Sequence, residues 1–412
     1  MKILHVIPSI SPLRGGPSLA ILEMVKALNQ LDVLAEIVTT NDHGSDLLDV
    51  PLNQLVDYQE APVYFFSRFS PPIHSIREFA YSGSLTSWLW KNIHDYDLLH
   101  IHAIFSYPST IAMVIARHHR IPYIVRPLGQ LCTWSLQQSA RKKQAYLQLI
   151  ERENLYRSSA LHFTSVQEQN EAEILELDCP SFILPHGITI PPTLNDIQQQ
   201  QAHQSLRQQL QLPSDEPILL FLSRLHAKKG LDYLLPALGQ LKGQRFTFLL
   251  AGSGELAYEA EISQLIKAAG LDGRVHRLGL VAGEMKQLLL KGSDLFVLTS
   301  YSENFGVAVL EAIAAGLPVV VTFGVALAEV VKEESVGFVA ELEVESIATA
   351  IRQGLANPTK RREMSARARA LARRDYAWDS IAQRLCQIYK RILNQPTLSS
   401  YSKVESKDIV AS

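Results

Sequence analysis

The sequence predicts an α/β protein made of two doubly wound, parallel-sheet domains. Three observations carry this reading. Short apolar runs of strand length alternate with helical stretches along almost the whole chain. The alternation runs twice, interrupted by Pro191-Pro192-Thr193 and a glutamine-rich stretch through Gln201. Loops bearing glycine and charge follow the apolar runs and open helices, the place where open α/β sheets bind ligands.

The bulk properties agree. At 412 residues and 47% hydrophobic content, the chain holds material for two to three domains, each with its own core. A formal net charge of -2 removes any general attraction to nucleic acid. Cys132, Cys179 and Cys386 form no Cys-x-x-Cys pair and no metal-binding spacing, which fits a reducing compartment. The opening residues Met1 to Pro8 meet proline too soon for a signal peptide and read as a first strand. No run reaches membrane-span length, so a cytoplasmic protein is expected.

The first array begins with a strand at 3–7 and the loop Ser9 to Pro17, then a helix over 18–29 opened by Gly15, Gly16 and Pro17. The glycines could admit a phosphate or simply make the turn, and the loop is no nucleoside-triphosphate P-loop, lacking Gly-Lys-Ser/Thr. Strands follow at 33–39 and 63–66, and a helix carries Trp88 and Trp90. A strand at 97–101 ends in His100-Ile101-His102, and the reading places His100 on the opposite side of the strand from His102. A helix over 106–119, a strand over 123–126 and the loop from Arg126 to Trp134 come next. A basic amphipathic helix is expected over 139–158, then strands at 160–164 and 182–184.

The second array has strands at 218–222, 246–250, 275–278, 294–299, 318–322 and 337–339, with helices in the gaps. The expected domains are 1–190, a linker at 191–214 and 215–375. A helix over 376–394 returns to the first domain, and 395–412 forms a disordered tail.

The chemistry concentrates in the second array. Between the strands at 294–299 and 318–322 stands Ser302-Glu303-Asn304-Phe305-Gly306, and Glu311 follows on the helix that Gly306 opens. Were the interval wholly helical, Glu303 and Glu311 would lie about 12 Å apart along the axis. That suits gripping two ends of an extended ligand better than acid–base work on one atom. Alone, Glu311 reads equally as a helix-surface residue and Glu303 as a cap. Arg224 and Lys229 flank the loop after the array's first strand, an arginine fork and a point charge of the kind that holds a diphosphate. Gly252 sits in the Gly252-Ser253-Gly254 turn after the next strand.

This ordered set resembles the retaining glycosyltransferases of the GT-B fold, specifically the large family 4, and the loop from Arg126 to Trp134 resembles that of the family's bacterial surface-polysaccharide members. The resemblance runs to about Leu393 and rests on Ser223-Arg224-Leu225, Lys229-Gly230, Ala251-Gly252-Ser253-Gly254, Leu278-Gly279 and the Glu-x7-Glu pair. It implies two Rossmann-like domains facing across a cleft and a UDP- or GDP-sugar donor, with no cofactor and no metal. By the match, Arg224 and Lys229 bind the diphosphate, and Glu303 meets the donor sugar. Asn304, Phe305 and Gly306 bring amides near sugar and phosphate, and Glu311 takes the ribose hydroxyls. Leu280 ends the stretch that meets the base, and Gly15 and Gly16 face the donor phosphates. His102 lies near the reacting sugar, while Arg126 and Trp134 are candidate acceptor contacts. Ser223 stands where the family usually has glycine, and His186 where it often has asparagine. The family's reaction retains anomeric configuration, with attack on the face of departure, so Glu303 is not assigned as a covalent nucleophile. Asp95-Tyr96-Asp97, the metal motif of the other glycosyltransferase fold, precedes a strand and reads as a turn.

Rival readings are an epimerase or phosphorylase of the same fold, or a nucleotide-sugar-binding protein without chemistry. The acceptor is expected to be a saccharide or a lipid-linked sugar. The basic helix over 139–158 could rest on the inner face of the plasma membrane. A helix packed on its sheet with a solvated basic side reads the same way.

Overall fold

The computed structural model describes residues 1–394 except Ser139, Ser214, Asp215 and Lys242. The tail expected at 395–412 lies outside the described residues, as does Ser139, the expected first residue of the basic helix. The chain forms two compact units, Met1–Gly187 with the segment from Trp378 onward, and Ile188–Ala377.

The first unit is built on eight strands: β1 (Lys2–Val6), β2 (Leu34–Thr40), β3 (Leu55–Tyr58), β4 (Ala61–Phe66), β5 (Leu98–His102), β6 (Tyr123–Arg126), β7 (Ala160–Phe163) and β8 (Ser181–Ile183). Their order is β8-β7-β6-β5-β1-β2-β4-β3, parallel except for the edge hairpin of β3 with β4. Alternate residues serve opposite faces, the two-residue period of a strand. Ile3, Leu98 and Ile124 enter a core with the helices Gly16–Asn29 and Trp378–Asn394. Leu4, Leu99 and Val125 enter the other core, with the helices Gly83–Asn92 and Tyr107–His119.

The second unit carries β9 (Ile218–Leu222), β10 (Thr247–Ala251), β11 (Val275–Gly279), β12 (Leu295–Leu298), β13 (Val319–Thr322) and β14 (Gly337–Ala340), all parallel, ordered β11-β10-β9-β12-β13-β14. Counted within the unit this is 3-2-1-4-5-6, the doubly wound order of dinucleotide-binding sheets. The segment read as a linker carries the helix Asp196–Leu210, and that helix belongs to this unit, with Leu206 wholly buried in its core. The unit therefore starts at Ile188, well before the expected position 215.

Two further departures have physical causes. The hairpin strand β3 was not expected, because its turn uses Gln59 and Glu60 at positive φ (51° and 64°) in place of an Asn-Gly signal. The basic helix is not one regular cylinder. It runs as Ala140–Tyr146, a π-helical stretch Leu147–Glu151, and Arg152–Tyr156. The extra residue of a π turn shifts the helical phase. Here Glu151 is turned inward, buried, to accept a hydrogen bond from Thr110 Oγ1 at 2.6 Å.

The last described helix, Trp378–Asn394, packs Trp378, Ile381, Leu385 and Tyr389 into the first unit. Its entry is set at Gly187, where a Cβ would stand 2.3 Å from the Trp378 ring. Gly187→Ala is expected to cost about 1–3 kcal/mol, the usual penalty of overpacking against a rigid group. A urea titration of the full chain measures it, and an unchanged midpoint would show that the ring yields freely.

Candidate active site

In a sheet of this order the strand sequence reverses between the first and fourth strands, and the loops leaving their carboxyl ends frame the binding position. In the second unit these are the loops after β9 and β12. The β9 loop begins at Ser223 and the exposed Arg224, then makes a single 3-10 turn, Ala227–Lys229. His226 caps that turn, its Nδ1 accepting from the Lys228 amide at 3.1 Å. Gly230 ends it at φ 69°, and a Cβ there would stand 1.9 Å from the carbonyl oxygen of Thr299 in the β12 loop. The two loops are also joined by hydrogen bonds. Thr299 Oγ1 donates to Gly230 O at 3.0 Å, and the Tyr301 amide donates to Lys228 O at 2.9 Å.

The β12 loop is held on its other side as well. The Glu303 amide donates to Gly324 O at 2.7 Å, and Glu303 O accepts from the Ala326 amide at 3.1 Å. Fixed on both flanks, the loops bring the Lys229 ammonium and the Glu303 carboxylate into a direct ion pair. Phe305 is buried beneath, Asn304 is half-buried, and Gly306 (φ 87°) caps the helix Val307–Ala315. The first amides of such a helix have no intrahelical partner and favour an anion. Glu311, on that helix, pairs with Lys286 Nζ at 2.5 Å. Lys286 sits on the helix Gly283–Gly292, and sequence reasoning missed it, since nothing marks it apart from any solvated lysine. Gly252 follows β10, and its amide is already committed to Gly279 O at 2.7 Å. Leu280, after β11, is exposed.

In the first unit the corresponding loops follow β1 and β5. Gly15 stands at φ 83° as the cap of the helix Gly16–Asn29, with open space on its Cβ side. Arg14 ahead of it is clamped by Asp42 (2.7 and 2.8 Å) and Glu78 (2.7 and 3.0 Å). Buried Arg68 also pairs with Asp42. None of these anchors was singled out from sequence. Trp134 lies on the short helix Thr133–Gln137, partly exposed. Asp97, of the Asp-x-Asp, precedes β5 and accepts from the Lys2 amide at 2.7 Å, at the strand's amino end.

His102 ends β5 and is buried. The expectation that His100 faces the other side is corrected: two residues apart on a strand, they share a face, with ring centroids 4.4 Å apart. Around them lie His5 from β1, His162 from β7, Arg126 ending β6, and His186 after β8, all buried. The Leu184 carbonyl can only accept, so His162 carries its proton on Nε2 (2.8 Å) and accepts at Nδ1 from His100 Nε2 (3.2 Å). His100 Nδ1 then accepts from the Tyr389 hydroxyl at 2.7 Å. His5 Nδ1 meets His102 Nε2 at 3.0 Å. Ligand atoms of His5, His100 and His102 come within 4.8 Å of one another, a metal-like cluster. The chain of hydrogen bonds, however, leaves His100 no lone pair for an ion. The signal was readable: a histidine at an inward position of three otherwise apolar strands.

Burial holds these rings neutral. It pushes His5 down to about 3, and takes His100, His102, His162 and His186 well below their ordinary value, with neighbouring histidines and the Arg126 charge adding to the effect. Facing them are Arg126 and Tyr389. Below about pH 6.5 the unfolded chain binds protons that the folded chain refuses, so stability is complete above that pH and falls beneath it. The slope is about 1.4 kcal/mol per pH unit for each histidine fully protonated in the unfolded state alone. Urea midpoints of the full chain at pH 7.5, 6.5 and 5.5 should fall progressively, and a flat profile would contradict a neutral cluster.

Residues 203–371 match the family model described as glycosyl transferases group 1, and residues 15–178 match the one described as glycosyl transferase 4-like domain. An uncharacterized glycosyltransferase of Methanocaldococcus jannaschii is 33% identical over 188 residues, covering 45% of this chain and 48% of that one. The chain spans about half the length of the curated relatives it matches. Sucrose-phosphate synthase from Thermosynechococcus elongatus superposes with a TM-score of 0.74 at 20% identity, covering 96% of this chain and 99% of its own. Anabaena HepE in complex with UDP and glucose superposes with a TM-score of 0.71 at 22% identity, covering 95% and 100%. The chain thus has the GT-B fold and carries one glycosyltransferase-family domain in each of its two units.

Proposed function

We propose that the protein is a retaining hexosyltransferase, moving a sugar from a UDP- or GDP-sugar to a saccharide or lipid-linked acceptor in polysaccharide or glycoconjugate biosynthesis. The observation that carries this reading is the Lys229–Glu303 pair between the two loops of the second unit, ahead of the helix capped by Gly306. That Anabaena HepE holds UDP and glucose supports a nucleotide-sugar donor.

The chemistry follows from the pairings. As the glycosidic bond breaks, negative charge grows on the departing diphosphate, and groups aimed at that charge lower the barrier. Arg224, Lys229 and the helix amides are those groups, and the reaction so written calls for no metal. In the free protein Glu303 neutralises Lys229. When the diphosphate arrives, the ammonium turns to it and the Glu303 carboxylate is released to the sugar hydroxyls. Lys286 and Glu311 allow the same exchange at the ribose. His102, neutral, donates or accepts a hydrogen bond near the reacting sugar, with Gly15 and Gly16 toward the donor phosphates. Arg126 and Trp134 serve the acceptor.

The acceptor side is proposed to work at the inner membrane surface. Leu149 (82% exposed), Ile150 and Tyr156 stand out from the basic helical segment beside exposed Arg141 and Lys142, an amphipathic pattern suited to anionic lipid. Among the described residues no helix is long and apolar enough to cross a membrane. The protein should sediment with anionic liposomes at low salt and be released at high salt; binding indifferent to salt, or none, would remove the membrane contact.

Nucleoside diphosphate release from a panel of UDP- and GDP-sugars, with and without an acceptor extract, tests the transfer itself. Lys229→Ala and Glu303→Ala should each lower kcat/KM about 100-fold or more. Circular dichroism should stay unchanged. Near-normal turnover in either variant would refute the assigned roles.

A further inference from the structure

The buried rings of the first unit fall into separate hydrogen-bonded groups. Tyr389, His100, His162 and the Leu184 carbonyl form one chain, which uses both nitrogens of His100 and both of His162. His5 and His102 form another, and among the described residues their ring nitrogens meet only each other, His5 Nδ1 to His102 Nε2 at 3.0 Å. His5 stands opposite His100 in the register of β1 with β5 and reaches His102 on the diagonal. What His102 can offer a ligand depends on which of its nitrogens carries the proton.

The geometry decides that. The two rings are tilted by only 20°, with centroids 5.3 Å apart. That separation exceeds the N···N distance by about the width of one imidazole, so the bond lies along the line through both rings. Burial keeps both rings neutral, His5 down to about 3 and His102 well below its ordinary value. Each ring therefore has one N–H and one lone pair, and two arrangements satisfy the bond. If His102 donates from Nε2, His5 must carry its own proton on Nε2, an atom buried without a partner. A sealed N–H with no acceptor is the more costly orphan and the rarer one. If His5 donates from Nδ1 instead, only a lone pair is sealed. The second arrangement wins, and it puts the proton of His102 on Nδ1.

We infer that His5 is a positioning residue for the transfer reaction: by occupying Nε2 of His102 it fixes the Nδ1–H tautomer, so that His102 serves the bound sugar as a hydrogen-bond donor. Wholly buried, His5 meets no ligand itself. The group that His102 then recognises is an acceptor oxygen. This rests on the transferase reading above, in which His102 lies near the reacting sugar, and adds a residue that reading does not use.

Nitrogen NMR of the full chain with labelled imidazoles reads the tautomer directly. In the wild type His102 should show a protonated Nδ1 and a bare Nε2. His5→Phe keeps a ring but no N–H, and should leave His102 a mixture of tautomers. In nucleoside diphosphate release from UDP- and GDP-sugars it should lower kcat about 10-fold with the donor KM little changed. His5→Asn sets an amide N–H where the Nδ1–H stood, and should restore the tautomer and most of the rate. A His5 that only packs would move stability in both variants and the His102 tautomer in neither. The inference is overturned if wild-type His102 is protonated on Nε2, if His5→Phe leaves the proton on Nδ1, or if His5→Asn turns over no faster than His5→Phe. The wild-type spectrum and His5→Asn keep the test standing should His5→Phe fail to fold. A wild type that releases no nucleoside diphosphate from any donor counts against the transferase reading instead, while the resonances still decide His5.

Discussion

The oxygen of Thr299 occupies the place where a side chain on residue 230 would begin, and the geometry of the second unit's site follows from that approach. Only a residue without a Cβ, able to sit at φ 69°, lets the β9 and β12 loops touch at the point where the strand order reverses. Once they touch, Lys228 and Tyr301 close the seam and Lys229 has Glu303 opposite it. The Glu303 backbone is in turn bonded to Gly324 and Ala326, so three loops share one rigid junction. An ion pair with side chains 11% and 22% exposed is a weak source of stability, since desolvation offsets most of its attraction. A small net energy is what an exchangeable pair requires, because a ligand that replaces one partner then meets little resistance.

The first unit meets the same topology with a different solution. Its β1, β5, β6 and β7 carry apolar residues toward the amino end of the inward face, Ile3, Leu98 and Ile124 among them. On that same face, toward the carboxyl end, stand His5, His100, His102, Arg126 and His162. Polar groups so buried need partners. The rings supply one another, with the Tyr389 hydroxyl at one end of the chain and the Leu184 carbonyl at the other. Tyr389 belongs to the helix Trp378–Asn394, so the last described helix both fills the apolar half of this face and sets the tautomers of the polar half.

Much of this was legible in the sequence, and the reasons differ by element. The parallel strands were readable because both faces are covered, leaving continuous apolar runs such as Ile218-Leu219-Leu220-Phe221-Leu222. The Lys229 and Glu303 loops were readable because glycine and charge interrupt those runs at the carboxyl ends. The β3 hairpin was not, since Gln59 and Glu60 adopt a conformation that their residue types do not advertise. Lys286 was hidden for a different reason: its meeting with Glu311 is fixed by the packing of two helices 25 residues apart in sequence. The histidine row was half-legible. Each ring could be seen in its own strand, but their mutual contacts follow from register, and an error of one face at His100 was enough to hide the cluster.

Three cations now stand in order of how they are compensated. Arg68 pairs with Asp42 and donates to the carbonyls of Gly44 and Asp46 and to Ser70 Oγ, with its Nε buried without a partner. Lys229 has a single carboxylate that a ligand can replace. Arg126 has one neutral ring nitrogen and an unpartnered Nε. Folding alone would favour the first arrangement everywhere, because an uncompensated buried charge is paid for in stability and returns nothing until something binds. The departures from it fall at the carboxyl edges of the two sheets, and at neither amino edge is there a described counterpart among these three. Within one unit, then, one buried arginine is neutralised by a carboxylate, while the other has a neutral ring nitrogen as its partner and stands at the sheet's carboxyl edge.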